Sequence, residues 1–432
     1  MNTRLPTDAL ADAPSSVPSS ESLAMIERLI AYDTTSRDSN LGLIEWARDH
    51  LERLGATTRL TYDATKKKAN LFATLGAGKR PGLILSGHTD TVPVDGQNWD
   101  TDPFKATIAD SKLYARGSAD MKSFIGVALA KAPRFLAAIE AGGLDAPIHY
   151  SLSYDEEIGC IGVRGLLADL EEIGLVAAGC IVGEPTSMQP VIAHKGTHRF
   201  RCHVHGREAH SSYVTHGVNA IEYAARLVVF IRDIADRLAQ TETRDYGFNV
   251  PYSTLSTGVI HGGIAANVIP KDCQVQFDMR TLPNASANAL YAEICDFAGK
   301  LEIEMRRSDP ASRIEMLWDS STEGLAANET EAIVQLAKDL SRNREVGKVS
   351  YGTEAGLFQK IGIPSVICGP GDIAQAHAPN EFVTLAQIAQ CEAFMERLAG
   401  APPRAENAMS TRSPSATVAP AAAPVAQAKA GA

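Results

Sequence analysis

The stretch PIHYSLSYDEEIGCIGVRGLLADLEEIG, residues 147–174, decides the fold. Its first part alternates and is rich in residues that favour strands. Its last part places Leu166, Leu167 and Leu170 on one face of a helix. The stretch therefore predicts a strand followed by a helix, which is the repeating unit of an α/β sheet.

Three adjacent acids, Asp155, Glu156 and Glu157, lie between this strand and this helix. Their negative charges repel one another unless the side chains are solvated or a positive charge lies among them. A solvated turn is one interpretation. The other follows from the position of the acids at the carboxyl end of a strand, where open α/β sheets bind their ligands.

Helical and strand patterns alternate on both sides of this stretch and again near the end of the chain. This alternation predicts an α/β fold with a mostly parallel sheet and helices on both of its faces. Between these parts the order is close to βαββαβ, a compact α+β unit. We therefore predict a large unit of residues 22–194 and 310–400, interrupted by an inserted unit of residues 195–309.

The two ends of the chain have a different composition. Residues 401–432 are mostly Ala, Pro and Ser with almost no large apolar side chain, so burial cannot offset their conformational entropy. We predict disorder for this tail and for residues 1–21, which also lack the apolar core of a secretion signal.

Composition narrows the classes of function. The 432 residues carry a formal net charge of -10, which argues against a nucleic-acid partner. No apolar run is long enough to span a membrane. Seven cysteines, none in a CxxC spacing, are typical of free core thiols in a reducing compartment. We expect a cytoplasmic protein that acts on a small molecule.

Metal-type side chains recur where the predicted strands end and helices begin. They are His88, Asp120, Glu184 and His377, together with the three acids at residues 155–157. Taken singly, each has an ordinary structural interpretation, such as a helix cap for Asp120. Taken together, two imidazoles with an excess of carboxylates are suited to a pair of Zn²⁺ or similar divalent ions. Asp90, two residues after His88, is placed to accept the second N–H of that imidazole.

Ordered motifs along the chain resemble those of the M20 family of co-catalytic zinc hydrolases. The motifs are GHTDTVPVDGQNWDTDPF, YARGSADMKSF, SYDEEIG, VGEPTSM, HKGTHRF, AHSS, TEAG, GPG and AHAPNEF, in that order. The resemblance covers nearly everything between the two tails, and it is greatest to the bacterial branch that acts on acetylornithine. It implies a zinc-peptidase-like catalytic domain with an inserted ferredoxin-like dimerisation domain.

The resemblance also implies a role for each ligand. His88 and Glu184 would hold one ion, Glu157 and His377 would hold the other, and Asp120 would bridge the two. The expected cofactor is Zn²⁺, with two ions per subunit. Co²⁺ and Mn²⁺ are alternatives, because the same ligands would accept them.

The remaining catalytic roles follow from the same resemblance. Asp90 orients His88, Glu156 is the general base, and the peptide bond between Asp120 and Met121 is cis. The implied reaction is hydrolysis of an N-acyl amide, in which the metal ions activate water and Glu156 transfers the proton to the leaving amine. The expected substrate is N2-acetyl-L-ornithine, which gives L-ornithine and acetate in arginine biosynthesis.

Two alternatives stay open. A related M20 enzyme would act on another N-acyl amino acid, on succinyl-diaminopimelate or on a dipeptide, because few binding residues decide the substrate. A catalytically dead ligand-binding relative should have lost the base or a ligand, and this sequence keeps all of them.

The inserted unit contributes further candidates. His203 and His205 share one face of a strand and are expected to be ordinary strand residues. His210, in AHSS, matches an imidazole that stabilises the oxyanion in the site of the partner subunit in dimeric members, so we expect a homodimer. Lys195 is expected to mark the hinge between the units, where closure would exclude water.

Five residues match substrate-binding elements of the family: Asn267, Arg280, Thr353, Glu354 and Gly369. Arg280 is suited to bidentate binding of an α-carboxylate. Glu354 is the candidate partner of a cationic side-chain amine. Gly369 lets its loop approach the ligand because it has no side chain.

Overall fold

The computed structural model describes residues 17–400. Most of the segment 1–21 and all of the tail 401–432, both predicted to be disordered, lie outside the described residues. Helix α1 nevertheless begins at Ser20, inside the segment 1–21. The backbone N–H of Ser19 donates to Glu392 at 2.8 Å, so the start of this helix is fixed to the last helix of the chain.

The described residues form the following elements. The helices are α1 (Ser20–Ile30), α2 (Leu41–Glu52), α3 (Ser123–Ala130), α4 (Ala132–Glu140), α5 (Val163–Glu172), α6 (Ala220–Thr241), α7 (Ala287–Ser308), α8 (Ala332–Ser341), α9 (Ala355–Lys360) and α10 (Leu385–Gly400). The strands are β1 (Thr57–Tyr62), β2 (Ala69–Leu75), β3 (Gly82–His88), β4 (Thr107–Ala109), β5 (Lys112–Tyr114), β6 (Ile148–Ser153), β7 (Ala177–Pro185), β8 (Val191–His194), β9 (Gly196–His205), β10 (Ala209–His210), β11 (Thr254–Gly262), β12 (Val268–Ile269), β13 (Asp272–Thr281), β14 (Arg313–Thr322), β15 (Leu325–Ala326), β16 (Gly347–Val349), β17 (Ser365–Gly369) and β18 (Phe382–Thr384).

The large unit is built on a nine-stranded sheet with the order β1-β2-β6-β3-β7-β17-β8-β15, and β16 pairs with β8. The central strands β6, β3, β7 and β17 are parallel. The pairs at the flanks, such as β1 with β2 and β15 with β8, are antiparallel. The predicted α/β class with a mostly parallel central sheet is confirmed, and the antiparallel strands lie outside the centre.

Both faces of this sheet are covered, because neighbouring residues of one strand enter different cores. Leu71 and Ala73 pack into the larger core with α1 to α4, α8 and α10. Phe72, between them, packs into a second core with α5 and α9. This alternation is what a strand requires when it is buried on both sides.

The inserted unit has the predicted order βαββαβ, formed by β9, α6, β11, β13, α7 and β14. Its four strands form one antiparallel sheet with the order β11-β13-β9-β14. The predicted boundary at residue 309 is too early, because β14 pairs with β9 and extends this sheet to Thr322. The sequence predicts a last strand in this order but does not locate it, since an edge strand with one exposed face resembles a strand of either unit.

The chain crosses between the two units at two adjacent points. Lys195 joins β8 to β9; its side chain is buried, and its ammonium group donates to the carbonyl of Tyr252 at 2.6 Å. The return crossing passes through Gly324. A Cβ at Gly324 would lie 2.8 Å from the carbonyl oxygen of His194, so only glycine lets the two crossings pack backbone to backbone.

Two smaller sheets complete the fold. One contains β18, β5 and β4, and the other pairs β10 with β12. Within residues 17–400, no helix is long and apolar enough to cross a membrane. All seven cysteines of the chain lie in the described part, and none forms a disulfide.

Candidate active site

Five predicted ligands converge at one edge of the central sheet. His88 is the last residue of β3, Glu184 lies near the end of β7, and Glu157 follows β6. His377 lies in the loop after β17, and Asp120 lies in the turn before α3. Because these strands are parallel, their carboxyl ends meet at the same edge. We call these five residues the deep cluster.

The first half of the deep cluster is almost completely buried. His88 Nε2 lies 2.9 Å from one carboxylate oxygen of Asp120 and 3.8 Å from Glu184 Oε1. These three side chains offer one ligand atom each, all within 4.8 Å of one another. Glu184 Oε1 is buried without a hydrogen-bond partner. Because buried polar atoms normally have a partner, this oxygen is suited to bind a cation.

The second half shares Asp120 with the first. His377 Nε2 lies 2.9 Å from Glu157 Oε2 and 3.4 Å from Asp120 Oδ2, whereas the other oxygen of Asp120 faces His88. Asp120, Glu157 and His377 therefore form a second group of ligand atoms within 4.8 Å. One carboxylate with an oxygen in each group is the arrangement that a bridging ligand requires.

Electrostatics explains why this cluster fits divalent cations. Burial raises the pKa of Glu184 well above its ordinary value, and the charge of Asp120 adds to the shift. Burial and Asp120 likewise raise the pKa of Glu157. Burial alone would raise the pKa of Asp120, but hydrogen bonds with His377 and His88 lower it. A divalent ion in each group would hold these acids ionised, so the donor set fits such ions.

Glu156 belongs to neither group of ligands. It lines the cleft above the cluster, and the thiol of Cys160 donates to its Oε1 at 3.2 Å. Burial raises the pKa of Glu156 to about 8, and the neighbouring charge of Glu157 adds to the rise. An acid that is free of the ligand groups and titrates near neutral pH is suited to proton transfer.

Two neighbouring acids support the loop that carries Glu156. The carboxylate of Asp90 accepts the backbone N–H groups of Glu156 at 3.1 Å and Glu157 at 3.3 Å. Its nearest oxygen lies 3.6 Å from His88 Nδ1, beyond hydrogen-bond range. The backbone carbonyl of Asp90 lies closer to this nitrogen, at 3.0 Å. Asp90 therefore contacts His88 through its main chain. Asp155 forms an ion pair with Lys68 at 2.5 Å, so it braces the loop.

A cleft of about 280 Å³ lies over the deep cluster, between the two units. The inserted unit contributes Thr197, Arg199 and Arg280 to its lining. The guanidinium of Arg280 donates to Thr197 Oγ1 at 3.0 Å and to Asp278 at 2.9 Å, which fixes its direction. Arg280 thus presents a positive charge to the same cleft as the metal-type ligands.

The family comparison agrees with this geometry. The family model for peptidase family M20/M25/M40 matches residues 84–401, which include every ligand of the deep cluster. The chain belongs to the M20 peptidase family. An acetylornithine deacetylase of Myxococcus xanthus is 35% identical to this M20 chain over 380 residues, which is 87% of the chain and 95% of the relative.

Solved structures of the M20 family share the fold. A metallo-carboxypeptidase of the family from Sulfolobus solfataricus matches with a TM-score of 0.71 and 17% identity, over 88% of this chain and 99% of that one. A dinuclear metal-binding M20 peptidase of Bacillus subtilis matches with a TM-score of 0.58 and 14% identity, over 88% and 96%. These M20 enzymes confirm the architecture, and the family is metal-dependent.

The M20 chain contains a support for Asp120 that the sequence interpretation missed. Glu381 Oε1 accepts the backbone N–H groups of Ala119 at 2.8 Å and Asp120 at 3.1 Å. Its other oxygen binds the buried guanidinium of Arg116 at 2.6 Å. Both residues stand in motifs that resemble the family, YARG and PNEF, so the motifs were the available signal. The peptide bond between Asp120 and Met121 is cis, which confirms the prediction.

Two predicted site residues lie away from this cleft. His210 on β10 and Asn267 next to β12 are both exposed, and the backbone carbonyl of Asn267 accepts the N–H of Ser211 at 3.0 Å. Neither residue lines the cleft of its own chain. The structure therefore brings these two residues near one another, apart from the deep cluster.

Three further predicted residues are buried rather than open to the cleft. Thr353 and Glu354 are 0% and 1% exposed, and neither lines the cleft. A Cβ at Gly369 would lie 2.0 Å from the backbone oxygen of Gly183, so this glycine permits contact with β7. Direct substrate contact by Glu354 and a role of Gly369 in approaching the ligand do not fit this arrangement.

Proposed function

We propose that this M20 enzyme hydrolyses the N-acetyl amide of N2-acetyl-L-ornithine to L-ornithine and acetate. The observation that carries the proposal is one carboxylate, Asp120, with an oxygen in each of two ligand groups, beside a free acid, Glu156. The 35% identity to an acetylornithine deacetylase over 87% of the chain supports this choice of substrate.

We propose two divalent ions, Zn²⁺ with Co²⁺ or Mn²⁺ as alternatives, in the deep cluster. His88 and Glu184 would hold one, Glu157 and His377 the other, and Asp120 both. When bound, the ions supply Lewis-acid polarisation of the carbonyl and lower the pKa of water. The orphaned oxygen of Glu184 and the raised pKa values of Glu184 and Glu157 support this assignment.

Glu156 transfers the proton in this proposal. Its carboxylate accepts a proton from the attacking water and then donates that proton to the leaving nitrogen, which departs as the free amine. Asp90 holds the loop by accepting the N–H groups of Glu156 and Glu157, so the base keeps its position. Burial and the charge of Glu157 raise the pKa of Glu156, and the negative charge of the buried Glu354 adds to the rise. We propose this indirect action in place of a direct substrate contact.

Arg280 binds the α-carboxylate of the substrate in this proposal. It is the cleft-lining guanidinium whose direction is fixed by Thr197 and Asp278. Binding at Arg280 would place the N-acyl group towards the deep cluster at the floor of the cleft. Charge-assisted bidentate pairing explains why arginine suits this position better than lysine.

A homodimer would complete the site. His210 and Asn267 are exposed at one end of the inserted unit, away from the cleft of their own chain. In a dimer formed through the inserted units, these residues of one copy would reach the cleft of the other, where His210 would stabilise the oxyanion. Closure of the inserted unit about Lys195 would exclude water from the reaction.

The cell compartment follows from the proposed role in arginine biosynthesis, which places the enzyme in the cytoplasm. Seven free thiols, six of them buried, support a reducing compartment.

The test is steady-state turnover of the Zn²⁺- or Co²⁺-loaded protein on a panel of substrates. The panel contains N2-acetyl-L-ornithine, N-acetyl-L-methionine, N-succinyl-diaminopimelate and a dipeptide. We expect the highest kcat/KM for N2-acetyl-L-ornithine. A higher kcat/KM for any other member would reject this substrate while keeping the reaction class, and no turnover of any member would reject the hydrolase.

A further inference from the structure

The face of the inserted sheet that α6 and α7 leave uncovered carries two adjacent imidazoles. His203 and His205 lie two residues apart on β9, so both side chains point to this face. Their ring centroids are 3.7 Å apart. The sequence alone favours ordinary strand residues here, because it does not show what lies on the neighbouring strands.

Each neighbouring strand places a carboxylate beside these rings. Asp272 on β13 is the register partner of His205, and Glu315 on β14 is the register partner of His203. Asp272 Oδ1 lies 3.3 Å from His205 Nδ1 and 3.4 Å from His203 Nε2. Glu315 Oε2 lies 3.6 Å from His205 Nε2. We call these four residues the open-face cluster.

The arrangement of donor atoms matches a metal site. Ligand atoms of His203, His205 and Glu315 all lie within 4.8 Å of one another. His205 Nε2 is buried without a hydrogen-bond partner. Around a tetrahedral Zn²⁺, neighbouring ligand atoms lie roughly 3.3 Å apart, as metal–ligand distances of about 2.0–2.2 Å require. Small side-chain rotations would bring the ligand atoms of His203, His205 and Glu315 to this spacing.

An ion pair with Arg313 orients the carboxylate of Glu315. Arg313 Nε donates to Glu315 Oε1 at 2.7 Å, whereas Oε2 of the same carboxylate faces His205. The guanidinium of Arg313 therefore holds one carboxylate oxygen of Glu315, and the other oxygen is directed towards the imidazoles. A carboxylate held in this way loses less conformational freedom when it binds an ion.

We propose that the open-face cluster is a separate binding site for a divalent transition-metal ion such as Zn²⁺. Two imidazoles favour such an ion over Mg²⁺ or Ca²⁺, which prefer oxygen ligands. His203, His205 and Glu315 would be the direct ligands, and Asp272, which faces Nδ1 of His205, would orient that ring. The ion would join β9 to β14. Along β9, His205 is eight residues from the cleft-lining Thr197, a distance of roughly 26 Å.

The test compares metal binding by full-length variants. The metal-free protein is dialysed against buffered Zn²⁺, and the metal retained per chain is measured by mass spectrometry. The double variant His203→Ala/His205→Ala should retain one Zn²⁺ fewer per chain than the wild type, with turnover changed less than twofold. The control is His261→Ala on β11, because His261 is the exposed register partner of Gln274, two strands from His203.

Equal Zn²⁺ content in the wild type and the double variant would overturn the proposal, as would the same loss in His261→Ala. Glu315→Gln keeps both imidazoles and guards against misfolding of the double variant. It should weaken binding of the last Zn²⁺ by tenfold or more, and unchanged binding would also overturn the proposal. Mg²⁺ should not occupy the site. The readout is a difference between variants, so it is independent of how many ions the deep cluster holds and of the substrate.

Discussion

The deep cluster and the open-face cluster combine the same residue types on different supports. The deep cluster lies at the ends of parallel strands, where loops direct side chains from β3, β6, β7 and β17 towards one point. The open-face cluster lies within antiparallel strands, where register and pleat set the spacing of the side chains. Strand ends can bring more groups together than a sheet face can. The deep cluster therefore has a further acid, Glu156, beside its five ligands, and the open-face cluster has none.

Burial separates the first half of the deep cluster from the open-face cluster, whereas His377 in the second half is 53% exposed. His88, Asp120 and Glu184 are 1%, 5% and 4% exposed, so their charges are poorly solvated. In the open-face cluster the side chains of Asp272 and Glu315 are 51% and 46% exposed, so water screens them. A buried, carboxylate-rich cluster should depend strongly on its ions, whereas an exposed cluster should bind its ion more weakly and tolerate its loss.

Stepwise removal of metal should separate the two clusters and have the largest effect. With increasing chelator, we expect one ion to leave first with full turnover retained, because it comes from the exposed cluster. Loss of the remaining ions should abolish turnover and lower the unfolding temperature, since like charges then lie buried without cations. Parallel measurement of bound metal, turnover and thermal unfolding checks this order. A fall in turnover when the first ion is lost would contradict the proposed difference between the two clusters.

Substitution of the spare acid should have the next largest effect. Glu156→Gln removes the proton acceptor but keeps the size of the side chain, so kcat should fall by about 10²–10⁴-fold. Bound metal should stay constant because Glu156 is not a ligand. The matched control is Glu315→Gln in the open-face cluster, which should leave kcat unchanged. A Glu156→Gln enzyme with wild-type kcat would remove Glu156 from the chemistry.

Two arginines on the same face of the inserted sheet should differ more modestly. Arg280 lines the cleft, whereas Arg201 lies further along β9 and pairs with Asp319 at 2.7 Å. Arg280→Ala should raise KM by about 10–100-fold, the value of a lost charge-assisted pair. Arg201→Ala should leave KM unchanged, because Arg201 does not line the cleft. Equal effects on KM would contradict this division of the face.

A buried histidine outside both clusters should give the smallest effect. Burial lowers the pKa of His149 to about 4. Between about pH 6.5 and 4 the unfolded chain binds more protons at this residue, so the free energy of unfolding should fall as pH falls through this range and be unaffected above it. His149→Gln should reduce this loss by up to about 3 kcal/mol. Chemical denaturation at several pH values in this range measures the free energy of unfolding, and a variant of the exposed His261, His261→Gln, is the control. Parallel pH curves for His149→Gln and the wild type would contradict it.

The sequence predicts much of the deep cluster because its signals are local. The strand and helix patterns place His88, Glu157 and Glu184 at strand ends, and parallel pairing then brings those ends together. The βαββαβ order of the inserted unit is also visible from periodicity. Residue roles and the cis bond at Asp120 came from the family resemblance.

The contacts that could not be predicted from the sequence join segments that are far apart in the chain. Asp272 and Glu315 meet His203 and His205 only through the register of three strands. The ion pair of Arg116 with Glu381 joins segments 265 residues apart. The burial of Glu354 depends on how α9 packs against β17 and β7. No local pattern records these contacts.

The most direct test of the central claim is anomalous diffraction at the zinc absorption edge from crystals of the Zn²⁺-loaded enzyme. We expect two peaks in the deep cluster, one on each side of the Asp120 carboxylate, with Glu156 bound to neither ion. A single peak in the deep cluster, or Glu156 acting as a ligand in place of Glu157, would contradict this assignment.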